Sequence, residues 1–222
     1  MLKARYGHDS MTPERHAKFR RVLAARQPDL TILYEDLYKV FNLAALARTC
    51  ETVGIDTIHA VSNYRGNPKA GRGANRWVTR VRHPSIEVAT TALKEQGFTI
   101  YATHLGQDAV DYREVDFTKP TAIMLGNEDE GLSDEALALA DGNIVIPLAG
   151  AVEALNVSVA AAVILFEAKR QRDAVGMYDR PITDPEAFNR QLFEACYPRA
   201  AARLRSMGEA YPPLDDTGIM QA

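Results

Sequence analysis

The residues best suited to chemistry lie in a short segment that ends on Asn156. A loop of small residues, 149–151, lets backbone approach a ligand closely, because almost no side chain fills the space there. Asn156 follows at the start of an apolar helix, where its side chain can cap the helix and still present an amide to a ligand. The segment therefore predicts the lip of a binding site, although an asparagine that only caps the helix is the structural alternative.

Two earlier segments carry further polar side chains of this kind. Asn42 and Arg48 lie on one apolar helix, six residues or about 600 degrees apart, so they do not share a face and their roles should differ. Glu128 precedes a second helix that opens at Ser133. Each of these residues also has a structural interpretation. Asn42 is suited to an N-cap, Arg48 to an ion pair with Glu51, and Glu128 to the positive end of the helix that Ser133 caps.

Strands and helices alternate along the chain and must position these segments. The predicted strands are 30–34, 57–61, 98–103, 122–125 and 144–147. The predicted helices are 12–26, 43–53, 86–96, 134–139, 157–174, 185–195 and 199–207. Short strands that are apolar on both faces and are separated by helices indicate an α/β fold with a parallel sheet and helices on both of its faces. We therefore expect a central domain over 30–178, with helical extensions at 1–29 and 179–222.

The ends of three predicted strands should meet at one edge of this sheet. They are Thr103-His104, Leu125-Gly126 and Ile146-Pro147. Open parallel sheets bind ligands outside the carboxyl ends of their strands. The sequence therefore predicts one pocket built from three segments, with glycines that permit close approach.

The charges are unevenly spread over the 222 residues. Residues 1–82 hold 15 Lys and Arg against 7 Asp and Glu, whereas the formal net charge of the chain is -3. Such an imbalance favours a polyanion-binding face, with an ordinary dipolar surface as the alternative. The candidate RNA-binding residues lie on the first helix and in the long basic loop 62–83: Arg15, Lys18, Arg21, Arg26, Arg65, Lys69, Arg72 and Arg76.

Several classes of protein are disfavoured. No phosphate-binding loop, dinucleotide fingerprint or nucleophile elbow occurs, and the five histidines lie at no metal-ligand spacing. Cys50 and Cys196 show no zinc or disulfide pattern and suggest a reducing cytosol. The beginning lacks the apolar core of a signal peptide, and no apolar run is long enough to span a bilayer, so we expect a cytoplasmic protein.

The three segments together resemble the motifs of the SpoU class of knotted RNA methyltransferases. The matching stretches are Asn42 to Thr49, Ile123 to Ser133 and Ile146 to Ala162. The resemblance implies a deep trefoil knot, S-adenosylmethionine as methyl donor, no metal, and a homodimer in which two subunits build each site. It places the donor contacts at Thr103, His104, Leu125, Gly126, Ile146, Leu148 and Leu155.

The same resemblance assigns roles to the polar residues. Arg48 stands at the position of the proposed catalytic arginine, which draws the proton from a ribose 2'-hydroxyl. Because a guanidinium stays protonated, we favour Arg48 as a clamp on an RNA phosphate that also stabilises the developing alkoxide. Glu128 is expected to fix the geometry of the donor loop, Asn42 to point its amide into the site, and Asn156 to orient ribose or ligand.

Further stretches, such as 26–31, 135–141 and 167–172, resemble the branch of this class that methylates guanosine 18 in the D-loop of tRNA. We therefore expect tRNA as substrate. Two departures from the family pattern, Phe41 for His and Ala154 for Ser, remove polar contacts. The alternatives are 2'-O-methylation of ribosomal RNA or of another tRNA position, a catalytically silent RNA-binding relative, and an α/β enzyme acting on a small molecule.

Overall fold

The computed structural model describes residues 11–61, 77–106 and 108–221. The chain forms two compact units. One comprises residues 27–177, and the other joins the residues up to Arg26 to those from Tyr178 onward. The domain boundaries expected from the sequence stay a prediction.

The unit of residues 27–177 is built on a seven-stranded sheet in which every pairing is parallel. The strands are β1 (Leu30–Glu35), β2 (Thr57–Val61), β3 (Thr79–His83), β4 (Thr99–Thr103), β5 (Val110–Asp111), β6 (Thr121–Leu125) and β7 (Gly142–Val145). Their order is β3-β2-β1-β6-β4-β7-β5. The central strands β1 and β6 are almost wholly buried, which explains their continuous apolar sequences.

Helices cover both faces of this sheet, as the alternation of the sequence predicted. They are α2 (Val40–Thr52), α3 (Ile86–Glu95), α4 (Asp134–Leu139) and α5 (Val157–Ala174). Helices α2 and α5 pack on one face, where Leu46 and Ile164 join Ile32 in the core. Helices α3 and α4 pack on the other, where Leu93 and Ala136 join Leu33. The α/β class with a parallel sheet is therefore confirmed.

Two strands were not foreseen. Strand β3 lies within the predicted basic loop 62–83, and β5 has only two residues. All of β3 is at least partly exposed at the edge of the sheet, so its arginines can face solvent and its sequence lacks an apolar pattern. Residues 62–76 of the predicted loop lie outside the described residues.

A buried arginine closes the amino edge of the sheet. Arg172, on α5, is fully buried, and its guanidinium donates to the carbonyls of Phe117, Asp29 and Lys119. It also donates to the side chains of Gln27 and Asp29. Such a complete set of acceptors offsets the cost of burying the charge and ties the end of α5 to the strand starts.

The second unit contains α1 (Pro13–Ala24), α6 (Pro185–Cys196) and α7 (Pro198–Met207). Thr12 caps α1 and Pro13 opens it, but the helix ends at Ala24 rather than at residue 26 as predicted. Its buried residues are His16 and Phe19.

Both cysteines are buried thiols. Among the described residues, no helix is both long enough and apolar enough to cross a membrane.

Candidate active site

A cleft of about 540 Å³ opens at the carboxyl ends of β4, β6 and β7. This edge is where the sequence placed the pocket, because parallel strands present their carboxyl ends together. All seven residues expected to contact a methyl donor line the cleft: Thr103, His104, Leu125, Gly126, Ile146, Leu148 and Leu155. The structure thus brings them together, and their role as ligand contacts stays a prediction.

The loop after β6 forms one wall of the cleft and is held in a tight turn. Asn127 and Gly131 pair through their backbones, and the Asn127 side-chain oxygen accepts from the N–H groups of Asp129 and Glu130. A Cβ at Gly126 would lie 2.0 Å from the carbonyl carbon of Gly131. Only glycine fits at residue 126, so the turn requires it.

A chain of hydrogen bonds joins the three polar segments beside this cleft. The Asn156 amide donates to Oδ1 of Asn42 over 3.2 Å, and the Asn42 amide donates to Oε1 of Glu128 over 2.7 Å. Asn156 also caps α5, since its Oδ1 accepts from the backbone N–H of Ser158 at 3.0 Å. Asn42 thus shares one network with Glu128, which lies 86 positions further along the chain, and with Asn156, which lies 114 positions further.

The structural interpretation of Asn42 as an N-cap is wrong. The N-cap of α2 is Lys39, whose side chain makes no capping bond, and Asn42 is the third helical residue. The helix was predicted from residue 43 because the apolar pattern starts at Leu43, but it begins at Val40. At 9% exposure, Asn42 is instead a buried amide whose side chain links Asn156 to Glu128.

Glu128 carries an incomplete set of partners. Its Oε2 atom is buried without a hydrogen bond among the described residues, although its Oε1 atom accepts from Asn42. A buried carboxylate oxygen without a donor costs free energy, and a bound hydroxyl or ammonium group would remove that cost. Since Glu128 lines the cleft, this oxygen is suited to a ligand donor.

The start of α2 also reaches this wall. The Tyr38 hydroxyl donates to Asp129, and Lys39 Nζ lies 3.4 Å from Asp129 Oδ1. These two partners lower the pKa of the Asp129 carboxyl, the Tyr38 hydrogen bond contributing most. The same bond raises the pKa of the Tyr38 hydroxyl. Neither Tyr38 nor Lys39 could be predicted from the sequence, because nothing local relates residues 38 and 39 to residue 129.

Arg48 lies apart from the network. It is exposed, it does not line the cleft, and no ion pair joins it to Glu51 or to another described residue. A single chain therefore brings Asn42, Glu128 and Asn156 together but leaves Arg48 facing solvent.

The basic residues predicted to contact RNA fall into two groups. On α1, Arg15, Lys18 and Arg21 are exposed, and Arg26 just beyond it is half-buried. The other four, Arg65, Lys69, Arg72 and Arg76, lie outside the described residues.

Of the two departures from the family pattern, only Ala154 lines the cleft. Phe41 precedes Asn42 in the chain and is 88% exposed.

Comparison with known proteins identifies the class. The SpoU rRNA methylase family matches residues 29–166, and the SpoU rRNA methylase C-terminal family matches residues 170–222. The chain belongs to the SpoU rRNA methylase family.

Within that family the chain resembles enzymes of one specificity. It is 53% identical to the tRNA (guanosine(18)-2'-O)-methyltransferase of Thermus thermophilus over 184 residues, which cover 82% of this chain and 95% of the relative. It is 46% identical to the enzyme of the same name from Escherichia coli K12 over 217 residues, which cover 96% and 95%.

Solved structures agree with this assignment. The TrmH/SpoU tRNA modifying enzyme of A. aeolicus superposes with a TM-score of 0.76 at 36% identity, over 83% of this chain and 96% of that one. The SpoU methyltransferase AviRb of Streptomyces viridochromogenes, solved with AdoMet, gives a TM-score of 0.61 at 28% identity, over 67% and 62%.

Proposed function

We propose that the protein transfers a methyl group from S-adenosylmethionine to the ribose 2'-hydroxyl of guanosine 18 in the D-loop of tRNA. The observation that carries the proposal is the network of Asn156, Asn42 and Glu128 beside a glycine-bearing cleft. It occurs in a chain that is 46–53% identical to enzymes of this specificity.

The cleft is suited to this methyl donor. Its apolar lining, with Leu125, Ile146 and Leu155, matches an adenosine, and the acidic groups of Glu128 and Glu153 match a sulfonium and an ammonium. When bound, the donor supplies an electrophilic methyl group. The buried Oε2 of Glu128 is free to accept a hydrogen bond from a ligand.

The acceptor side uses the amides and the arginine. Asn42 and Asn156 orient the ribose, and the 2'-oxygen attacks the methyl carbon as the carbon–sulfur bond breaks and the hydroxyl proton leaves to solvent. Arg48 binds a neighbouring phosphate and stabilises the negative charge that develops on the oxygen, as preorganised donors do in other acyl and phosphoryl transfer sites.

The exposure of Arg48 supports a homodimer in which the partner's Arg48 completes each site. Helices α2 and α5 pack together and carry the exposed apolar residues Phe41, Val159 and Phe166, which suit a subunit contact. Within each subunit we expect a methyltransferase domain over 30–178 with the family's trefoil knot, and helical extensions at 1–29 and 179–222.

The remaining parts of the proposal concern the RNA and the compartment. The exposed cations of α1, together with Arg26, Arg65, Lys69, Arg72 and Arg76, would contact the tRNA backbone. The setting would be the cytoplasm, where tRNA is processed.

The test is methyl transfer from labelled S-adenosylmethionine to an unmodified tRNA transcript, followed by nuclease digestion to identify the labelled nucleotide. We expect label in 2'-O-methylguanosine at position 18, none in a transcript with adenosine at that position, and none with Arg48→Ala. Label at another nucleotide, or in ribosomal RNA alone, would replace the proposed substrate.

The exposed Phe41 and the Ala154 of the cleft favour one second candidate, a catalytically silent RNA-binding relative. That candidate predicts salt-sensitive tRNA binding without any transfer.

A further inference from the structure

The charges around the cleft are unfavourable to RNA. Four carboxylates line it, those of Glu128, Asp129, Glu130 and Glu153, whereas Lys39 is the only lysine or arginine among the described lining residues. A phosphate backbone that approaches this cleft meets repulsion from most of the wall. The one cation is therefore the natural point of contact for an RNA phosphate.

Lys39 is placed to make that contact. It is the N-cap of the 13-residue helix α2, three residues before Asn42, and the first turn of α2 contains no acidic residue and no side-chain cap. The unbonded N–H groups and the helix dipole at this end add to the positive potential of the ammonium group. Lys39 thus stands between the hydrogen-bond network and solvent.

The present partner of Lys39 is weakly held. The Lys39 and Asp129 side chains are 48% and 63% exposed, with Nζ and Oδ1 3.4 Å apart. Exposed pairs of this kind contribute about 0.2–1 kcal/mol, so an incoming phosphate can displace the carboxylate at little cost. Asp129 does not depend on Lys39 for its position, because the Tyr38 hydroxyl and the Asn127 turn also hold it.

We propose that Lys39 exchanges Asp129 for a phosphate of the substrate RNA, so that Asp129 acts as an internal competitor for the site. The inference rests on the proposed function in one respect, namely that the acceptor is RNA. Lys39 then anchors the strand next to Asn42, and the phosphate takes the place of the Asp129 carboxylate.

The chain offers a matched control for this pair. Lys94 and Asp141 form an ion pair of similar exposure, 42% and 36%, at the amino edge of the same sheet. Asp141 also accepts from the backbone N–H of Ile100, which marks a structural role. Lys94→Gln removes one exposed positive charge, as Lys39→Gln does, but away from the cleft.

The experiment measures the dissociation constant of unmodified tRNA over a series of salt concentrations for the wild type, Lys39→Gln, Asp129→Asn, the double variant and Lys94→Gln. We expect Lys39→Gln to weaken binding about fivefold at low salt and to reduce the salt slope by about one, since one phosphate contact is lost. Asp129→Asn should tighten binding about two- to threefold, and most of this gain should be lost in the double variant, because the competitor acts mainly through Lys39. Lys94→Gln should leave both quantities unchanged.

Two results would overturn the inference. One is an unchanged salt slope in Lys39→Gln. The other is a weakened affinity of Lys39→Gln for S-adenosylmethionine with tRNA binding intact, which would assign Lys39 to the donor carboxylate. Because binding is measured without turnover, the inference is tested even if the wild type transfers no methyl group. Conversely, transfer to guanosine 18 with no effect of Lys39→Gln would leave the proposed function standing alone.

Discussion

The polar groups at the two edges of the parallel sheet differ in how completely they are hydrogen-bonded within the chain. At the amino edge, Arg172 is fully buried, and each of its guanidinium nitrogens has an acceptor within the chain. At the carboxyl edge, Glu128 has one bonded oxygen and one buried oxygen that has no partner among the described residues, and Lys39 has an exposed partner that it can exchange. Arg172 is thus satisfied within the chain, whereas Glu128 and Lys39 are left able to bind a ligand.

Arg172 and Arg48 illustrate this contrast within one residue type. Arg172 lies in the core with acceptors for its guanidinium, and the Arg48 side chain is exposed without a partner among the described residues. Substitution of Arg172 should therefore lower stability, whereas substitution of Arg48 should lower activity.

Arg172→Met should cause the largest change. It leaves Asp29 and several buried carbonyls without their donor, and breaking such a buried charged network costs about 3–5 kcal/mol of unfolding free energy. Urea denaturation measures the loss. Arg170→Ala is the control, because Arg170 is exposed and Glu167 is its only ion-pair partner among the described residues. This variant should lose less than about 0.5 kcal/mol. Equal losses in the two variants would contradict the assignment of Arg172 to the fold.

Arg48→Ala should lower activity and leave stability unchanged. Removing a group that stabilises a developing oxyanion lowers kcat about 10²–10³-fold, whereas an exposed residue changes the unfolding free energy by less than about 0.5 kcal/mol. Arg48→Lys keeps the charge but loses the two-pronged geometry, so its activity should stay well below wild type. Near-native turnover of Arg48→Lys would exclude the bidentate phosphate clamp.

Glu128→Gln should have an intermediate effect. The new amide can still accept from Asn42 through its oxygen, but it replaces the free acceptor Oε2 with a donor. Loss of a hydrogen bond to a charged group costs about 1.5–3 kcal/mol, which lowers kcat/KM about ten- to hundredfold. Glu135→Gln, in the first turn of α4 and outside the cleft, is the control and should keep wild-type kinetics. An unaltered Glu128→Gln enzyme would show that the free oxygen meets no ligand.

Much of the fold could be predicted because its core follows local rules. The continuous apolar runs of β1 and β6 marked buried parallel strands to within one residue, and Ser133 and Asn156 proved to cap their helices. Strand β3 could not be predicted, because an exposed edge strand needs no apolar pattern. A knot has no signature in composition or periodicity and stays a prediction from the family.

The candidate site was predictable in part for the same reason. Strand ends gather at one edge, so five of the seven cleft residues followed from the strand boundaries, namely Thr103, His104, Leu125, Gly126 and Ile146. The other two, Leu148 and Leu155, came from the resemblance to the family. The partners of the polar residues did not follow, since Asn42 meets Glu128 and Lys39 meets Asp129 across about ninety residues of chain. Such pairings depend on tertiary packing, and local sequence does not encode which side chains meet.

The His59–His83 pair tests whether a buried side chain that is bonded to its neighbour contributes to stability, as Arg172 does at the amino edge of the sheet. His59 Nδ1 and His83 Nε2 are 2.9 Å apart on β2 and β3, and burial lowers the pKa of His59 from 6.5 to about 4. The unfolded chain therefore binds a proton at a higher pH than the folded one. The stabilisation that the neutral, buried His59 contributes is therefore complete above pH 6.5 and is lost progressively as the pH falls toward 4.

Urea denaturation of the wild type and His59→Phe at pH 7.5, 6 and 5 measures this effect. The unfolding free energy of the wild type should decrease relative to that of the variant as the pH falls, because the variant has no proton to take up at residue 59. Transfer activity at pH 7.5, normalised to folded protein, should change little, since His59 does not line the cleft. A difference that stays constant with pH would mean that His59 is protonated equally in both states, and the pair would then not belong with the satisfied groups of the fold.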